Sequence, residues 1–341
     1  MQALILAGGQ GTRLRPLTES IPKPVLPLAG RPHIAYVIDW LQSHGVDDVV
    51  VSCGFLAQGV RDALDGMTGP TVRFATEPEP RGTAGAIRFA ADELGDRFLV
   101  LNGDVLCDLD LTSMIAQHDA TGARATIALY PVDNPSAYGL VRRGEDGAIT
   151  DFLEKPDPAQ IDTDEINAGA YFLERSVLDL IPPDVAVSIE REVFPRLVGE
   201  GLYGRRLDGY WMDIGTPDRY LQASWDILEG RVETATGRLV GDDGLLVAEG
   251  AEVHPDAIIA GPAMVEAGTT VGSRAAIGPR AVVGPGCSIA EGASVSGSVL
   301  LSGSTVGAGA AIDGAILSPG AVVVPDAELE GVVVGTGERI G

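Results

Sequence analysis

The 341-residue chain has only two lysines, Lys23 and Lys155, among 24 basic residues. It has three cysteines, Cys53, Cys107 and Cys287, too far apart to form a metal-ligand spacing or a disulfide framework. They read as small buried hydrophobes in a reducing compartment. Nowhere does the sequence offer the roughly 20 unbroken apolar residues of a membrane span, and no basic region precedes the short apolar run MQALILAGG. A cytoplasmic protein without membrane association is expected. Positive charge is also scarce: the formal net charge is -24 and the sequence pI is about 4.4. Such a field repels nucleic acid and anionic lipid, so no nucleic-acid partner is expected. A phosphate ligand would have to be gripped by a local cationic site or by metal.

What the chain does have is a hydrophobic content of 45%, enough to bury a full core. Its two lysines stand inside the Pro-bounded stretches SIPKPVLPLAG and FLEKPDP. Arginine replaces lysine cheaply at ordinary surface sites. A lysine retained in such a background points to a compact three-donor ammonium for which the planar guanidinium is no substitute.

Apolar strands alternate with helices through the first third of the chain. QALILA at 2–7 runs into Gly8-Gly9-Gln10-Gly11-Thr12-Arg13, and a helix is expected near 33–43. Strands follow at 47–53, 72–77 and 97–104, with helices from about Thr83 to Leu94 and near 110–121. This is the rhythm of a doubly wound, Rossmann-like sheet, in which ligands sit beyond the carboxyl ends of the strands. Shorter strands and Gly/Pro-rich turns from 124 to 220 predict a mixed extension of the sheet for a second substrate, closed by a helix from Asp218 to Leu228. Ser188 is expected to cap a short helix in SIERE.

Beyond 250 the chain turns small and Gly-rich. Val253, Ile259, Val265, Val271, Ile277, Val283, Ile289, Val295 and Leu301 recur every six residues, and the phase slips by one to Val306 and Ile312. Six residues form one face of a triangular coil, so a parallel β-helix is expected. It would have an irregular corner near 302 and a cap in GVVVGTGERIG. The domains read as an α/β region at 1–232, a linker at 233–250 and a β-helix at 251–341.

Gly8, Gly9 and Gly11 after a buried strand offer unhindered backbone N–H groups to a phosphate chain or base. Their spacing is neither GxGxxG nor a P-loop. What raises the loop above a tight turn is the cation that follows it: Arg13, Arg15 and Lys23. Asn102-Gly103-Asp104 ends a strand and presents a carboxylate at the sheet edge, although a lone carboxylate there is more often a turn residue. Asp213 lies in the apolar frame Gly209-Tyr210-Trp211-Met212-Asp213-Ile214-Gly215. Two such carboxylates with phosphate oxygens make an all-oxygen magnesium site.

GGQGTRLRPLT, IPKP, GTAGAI, NGD, FLEKP, NAGAYFL and YWMDIGTP together resemble the sugar-1-phosphate nucleotidyltransferases. The likeness is especially close to the mannose-1-phosphate guanylyltransferases that carry a C-terminal left-handed β-helix. It implies that Gly8, Gly9 and Gly11 hold base and triphosphate, with Leu6, Thr12, Gly82, Thr83, Asn102 and Gly103 in the same nucleotide site. It also implies that Arg13 and Lys23 grip the β- and γ-phosphates, that Lys155 holds the sugar phosphate, and that Asp104 and Asp213 share Mg2+. Glu154, Asn167 and the backbone of Gly139 would face sugar hydroxyls. The implied reaction is in-line attack of a sugar 1-phosphate oxygen on the α-phosphorus, with pyrophosphate leaving and no general base required.

Glu77, in Thr76-Glu77-Pro78, bears on the base. Pyrimidine-specific relatives usually place glutamine there, whereas an ionised glutamate only accepts and suits N1–H and N2–H2 of guanine. The expected substrates are GTP and mannose 1-phosphate, giving GDP-mannose and pyrophosphate. The sugar assignment follows mainly from resemblance, and SIEREVFP supports guanine over thymine. Rival readings are a thymidylyl or uridylyl transferase for glucose 1-phosphate, a non-catalytic subunit that binds nucleotide sugar, and a bifunctional acyltransferase. Of the four histidines only His254 lies in the hexads, a poor basis for acyl transfer, so the coil reads as an assembly or regulatory module. Its flat, self-complementary faces point to a homo-oligomer. Trp40 and Trp225 read as packing residues.

Overall fold

The structure, a computed structural model, describes residues 1–54 and 56–341. The chain divides into two compact units: Met1–Gly9 with Val37–Trp211, and Gln10–Tyr36 with Met212–Gly341.

In the first unit, β1 (Gln2–Leu6), β2 (Asp48–Cys53), β3 (Thr71–Thr76) and β4 (Arg97–Asn102) form the parallel half of one sheet. β1 lies between β2 and β4, and β3 adds to β2. Leu4, Ile5, Val50, Val51, Leu99 and Val100 are fully buried, as continuous apolar runs covered on both faces must be. Crossovers include α1 (Ala57–Leu64) and α2 (Gly82–Phe89), the latter ending sooner than Leu94 and followed by a single 3-10 turn at Ala91–Glu93. α3 (Leu111–Thr121) starts from Asp110, whose carboxylate accepts from the backbone of Thr112 and Ser113. Ahead of these, His33–Ser43 is also helical.

The antiparallel half contains β5 (Ala125–Pro131), β6 (Gly139–Arg143), β7 (Ile149–Glu154), β8 (Glu165–Glu174) and β9 (Leu202–Arg206). The main path runs β7-β6-β8-β4-β1-β2-β3, with β5 on β8 and β9 parallel to β5. The expected doubly wound sheet with a mixed extension is therefore present. The ten-residue β8 is its hinge: Tyr171 faces Val100 on one side and Ile127 on the other.

The second unit is built on a left-handed parallel β-helix whose three faces carry six, six and five strands. Successive coils pair 18 residues apart at first, as in Val265 with Val283 and Val271 with Ile289. From Val283 with Leu300 onward they pair 17 apart. The inward stack is thus Val295, Leu300 and Val306; Leu301 is not its member, and the slip falls between 295 and 300 rather than near 302. The cause is one corner. The early coils turn it through Gly261-Pro262 and Gly278-Pro279, and the later ones through a single glycine, Gly297, Gly314 or Gly331, with φ of 53°, 61° and 62°. The later corner is one residue shorter, so each later coil takes 17 residues instead of 18. The final residues do not cap the coil: Val333–Val334 and Arg339–Ile340 add further strands to it.

Residues on one outer face of the coil, Met264, Val282, Val299 and Ile316, are also buried. Within this unit, the methyl of Met264 lies against Gly30, Arg280 pairs with Glu229 at 2.6 Å, and Ser20 meets Thr336 at 2.9 Å. The segment from 10 to 36 and α4 (Pro217–Leu228) are therefore mounted on the coil. Tyr220, fully buried, donates from its hydroxyl to the carbonyl of Pro27, and Tyr36 donates to Leu28 at 2.9 Å.

Candidate active site

The first unit gathers the ends of β1, β2 and β4. Leu6 closes β1; its carbonyl accepts from the backbone of Gly103 at 2.9 Å, and Ala7 donates to Ser52 at 2.7 Å. A Cβ on Gly103 would stand 2.7 Å from that Leu6 carbonyl, so only glycine lets the Asn102-Gly103-Asp104 turn pass so close. Asp104 follows directly beyond β4, at the carboxyl edge where open sheets bind ligands.

Glu77, just past β3, is 8% exposed, and its Oε1 accepts from the Ser52 hydroxyl at 2.6 Å. That oxygen lies 3.5 Å from where a Cβ on Gly8 would be, and Gly9 has open space. An acceptor-only group therefore sits beside the loop, inside the protein rather than on its exterior.

Gly82 and Thr83 open α2. The Thr83 hydroxyl accepts from the backbone of Ile189 and donates to Glu190, both at 2.8 Å. Gly139 begins β6 where a Cβ would be 3.0 Å from Oε2 of Glu154, the last residue of β7. Burial, and then the negative charge of Glu190, push the Glu154 carboxyl upward, while Lys155 and Arg191 pull it back. Asn167, on β8, donates to the Tyr171 hydroxyl and accepts from the backbone of Gly169, both at 2.9 Å. Lys155 has φ of +53°, and its N–H bonds Tyr138 at 2.9 Å. A non-glycine residue there carries strain of about 1 kcal/mol, of the kind that concentrates at functional positions.

The second unit holds Gly11, Thr12, Arg13, Lys23 and Asp213. Gly11 has φ of 60°, and a Cβ there would meet Thr18 at 2.9 Å and Lys23 at 3.1 Å. Thr12–Leu14 form a 3-10 turn, and Lys23 is 7% exposed. A Cβ on Gly215 would fall 2.5 Å from Arg13 Nη2 and 2.8 Å from Asp213 Oδ1, so guanidinium and carboxylate converge on this glycine. Arg219, on α4, stands 3.5 Å from Asp213 Oδ2.

The sequence reading gave no role to Ser52, Tyr171, Glu190 or Arg219, although each lay in a segment it had read as a strand, a helix or a motif. Trp211 bonds Ala168 and stacks on Tyr130, and Trp40 donates to Leu109. All three cysteines are free and buried. Among the described residues no group of three or more His, Cys, Asp or Glu could hold a metal, and no helix is long and apolar enough to cross a membrane.

A mixed sheet with a glycine loop after its first strand, basic groups following that loop in sequence and, in the second unit, a hexapeptide coil define a nucleotide-handling transferase. The description "Nucleotidyl transferase" matches residues 2–230, and "GMPPB C-terminal domain" matches 259–340. The chain belongs to the sugar-1-phosphate nucleotidyltransferase family. It is 38% identical over 279 residues to a mannose-1-phosphate guanylyltransferase of Mycobacterium tuberculosis, covering 80% of this chain and 77% of the relative. It is 39% identical over 290 residues to a probable mannose-1-phosphate guanylyltransferase 2 of Arabidopsis thaliana, covering 79% of each. A crystal structure of HddC from Yersinia pseudotuberculosis superposes with a TM-score of 0.57 at 31% identity, covering 65% of this chain and 97% of that one. A second structure of that protein, complexed with GMP-PN, gives 0.57 at 30%.

Proposed function

We propose that the chain transfers a guanylyl group from GTP to mannose 1-phosphate, forming GDP-mannose and pyrophosphate. The observation that carries the base is the buried Glu77 carboxylate beside Gly8, oriented by Ser52. With Oε1 held by a hydroxyl, the carboxylate accepts from the adjacent N1–H and N2–H2 donors of guanine and offers no donor to a pyrimidine carbonyl. The names of the relatives support the sugar.

Gly8, Gly9, Gly11 and Thr12 present backbone N–H groups to the nucleotide, with Leu6, Gly82, Thr83, Asn102 and Gly103 around it. Arg13 and Lys23 neutralise the β- and γ-phosphates. Lys155 holds the sugar phosphate, while Gly139, Glu154 and Asn167 fix the ring so that a phosphate oxygen faces the α-phosphorus in line with the departing pyrophosphate. Because the nucleophile is already an anion, no protein group needs to remove a proton.

Asp104 and Asp213 are the residues that would hold Mg2+. Two hard oxygen donors completed by substrate phosphates suit that ion, which is seldom held by an all-protein cage. When bound, it supplies charge neutralisation at the phosphates. The catalytic region is assigned to 1–232 and the coil to 251–341, the latter serving homo-oligomeric assembly in the cytoplasm.

The test is pyrophosphate release with Mg2+, crossing five nucleoside triphosphates with mannose and glucose 1-phosphates. GTP with mannose 1-phosphate is the expected fastest pair. A faster dTTP or UTP reaction with glucose 1-phosphate would keep the chemistry and reject the assignment.

A further inference from the structure

The segment Ser188–Pro195 is unusual in its backbone. Ile189–Val193 form a single π-helical turn, capped by Ser188, whose Oγ accepts from the backbone of Arg191 at 3.3 Å. Such turns are rare and frequently mark functional sites. This one carries Glu190 to Thr83 and Tyr171 in the first unit.

The two oxygens of Glu190 are unequally used. Oε2 is fixed by two hydroxyl donors, Ser188 at 2.7 Å and Thr83 at 2.8 Å. Among the described residues, Oε1 has only a long approach from the Tyr171 hydroxyl, 3.5 Å, at the limit of a hydrogen bond. Tyr171 is itself fully buried and receives the amide of Asn167. One carboxylate oxygen is therefore anchored, and the other, on a half-buried side chain, keeps capacity to accept.

β7, which ends at Glu154, packs against this turn; Glu154 is also half-buried, and the Glu190 charge helps to raise its carboxyl. Two carboxylates near one another repel. Anchoring one of them with two hydroxyls maintains that cost instead of letting the side chain swing away. A ligand relieves it if it brings several neutral O–H donors and no negative charge to that spot. Vicinal ring hydroxyls do this; a phosphate would not.

We propose that Glu190 is a sugar-recognising residue, pairing with Glu154 to accept hydrogen bonds from adjacent hydroxyls of the sugar 1-phosphate ring. This rests on the sugar 1-phosphate reading above and extends it to Glu190, a residue of SIEREVFP to which the sequence assigned no role. Because Thr83 shares Glu190 Oε2, the same carboxylate ties the start of α2 to the sugar pocket.

The experiment compares wild type with E190Q, in the full chain. Glutamine keeps an oxygen for Ser188 and Thr83 but loses the charge-assisted acceptor, so the KM for mannose 1-phosphate rises about tenfold or more. The KM for GTP stays within about twofold, and discrimination between mannose and glucose 1-phosphates falls. The acid limb of kcat/KM for the sugar phosphate moves to lower pH, because Glu154 loses the repulsion that raised it. A packing role alone would not move that limb.

E190D, which retains charge on a shorter arm, restores the acid limb towards wild type without restoring KM. The inference is overturned by an unchanged sugar KM and acid limb in E190Q, or by equal rises in both substrate KM values. Absence of turnover by wild type with every substrate pair would remove the underlying reading and this inference together. Wild-type activity with an unaltered E190Q removes the inference alone.

Discussion

The Ser52 hydroxyl donates to Oε1 of Glu77 over 2.6 Å, with both side chains buried beside the glycine loop. This bond orients the carboxylate, and replacing Glu77 by glutamine turns one acceptor oxygen into a donor. E77Q is expected to lower kcat/KM for GTP by about 10- to 100-fold and to improve the relative use of UTP or dTTP. Steady-state rates with each triphosphate at fixed mannose 1-phosphate check this, and an unchanged preference would separate Glu77 from base choice.

Lys155 keeps a strained backbone, with φ of +53°. K155R preserves charge but not the compact ammonium. Both K155R and K155A are expected to lose about 100-fold or more in kcat/KM for the sugar phosphate, with thermal unfolding little changed. Full rescue by arginine would show that only charge matters there.

Gly215 provides a stringent test of the Arg13–Asp213 arrangement. In G215A the added methyl meets the far ends of two flexible side chains, Arg13 Nη2 and Asp213 Oδ1, not backbone. They can yield, so stability should change by less than about 1 kcal/mol. Moving them by even an ångström should still cost activity about 10-fold or more. Parallel thermal melts and rate measurements distinguish this from simple unfolding.

Glu266, beside Gly30 on the coil, is raised by burial to about 7 from an ordinary 4.5. The folded state then holds a proton that the unfolded state releases between those values, so stability falls as pH rises through that window. E266Q removes this dependence. Relative to wild type it should gain about 1 kcal/mol above pH 7, a figure reduced for residual solvent around the group. The gain should vanish near pH 4. Denaturant midpoints at pH 4, 6 and 8 measure it.

The parts legible in the sequence are those set by local periodicity. Buried runs such as VVVSC and FLVLN are strands wherever they fall, and hexads with small residues between them admit only a triangular coil. Leu301 illustrates the limit: both Leu300 and Leu301 are apolar and buried, and the choice between them is made by the shorter corner at Gly297. Distant partnerships were likewise invisible. Glu190 meets Thr83 across 107 residues, and Ser52 meets Glu77 across two strands paired only through tertiary folding. Nor does composition reveal that Arg13, Lys23 and Asp213 belong to the unit containing the coil.

The central claim is tested most directly in the reverse direction, by supplying pyrophosphate and Mg2+ with GDP-mannose, GDP-glucose, dTDP-glucose or UDP-glucose and measuring the triphosphate formed. The account predicts that GTP from GDP-mannose appears fastest, with GDP-glucose slower and the pyrimidine sugars slower still. Faster formation of dTTP or UTP, or no triphosphate from any of the four, would contradict it.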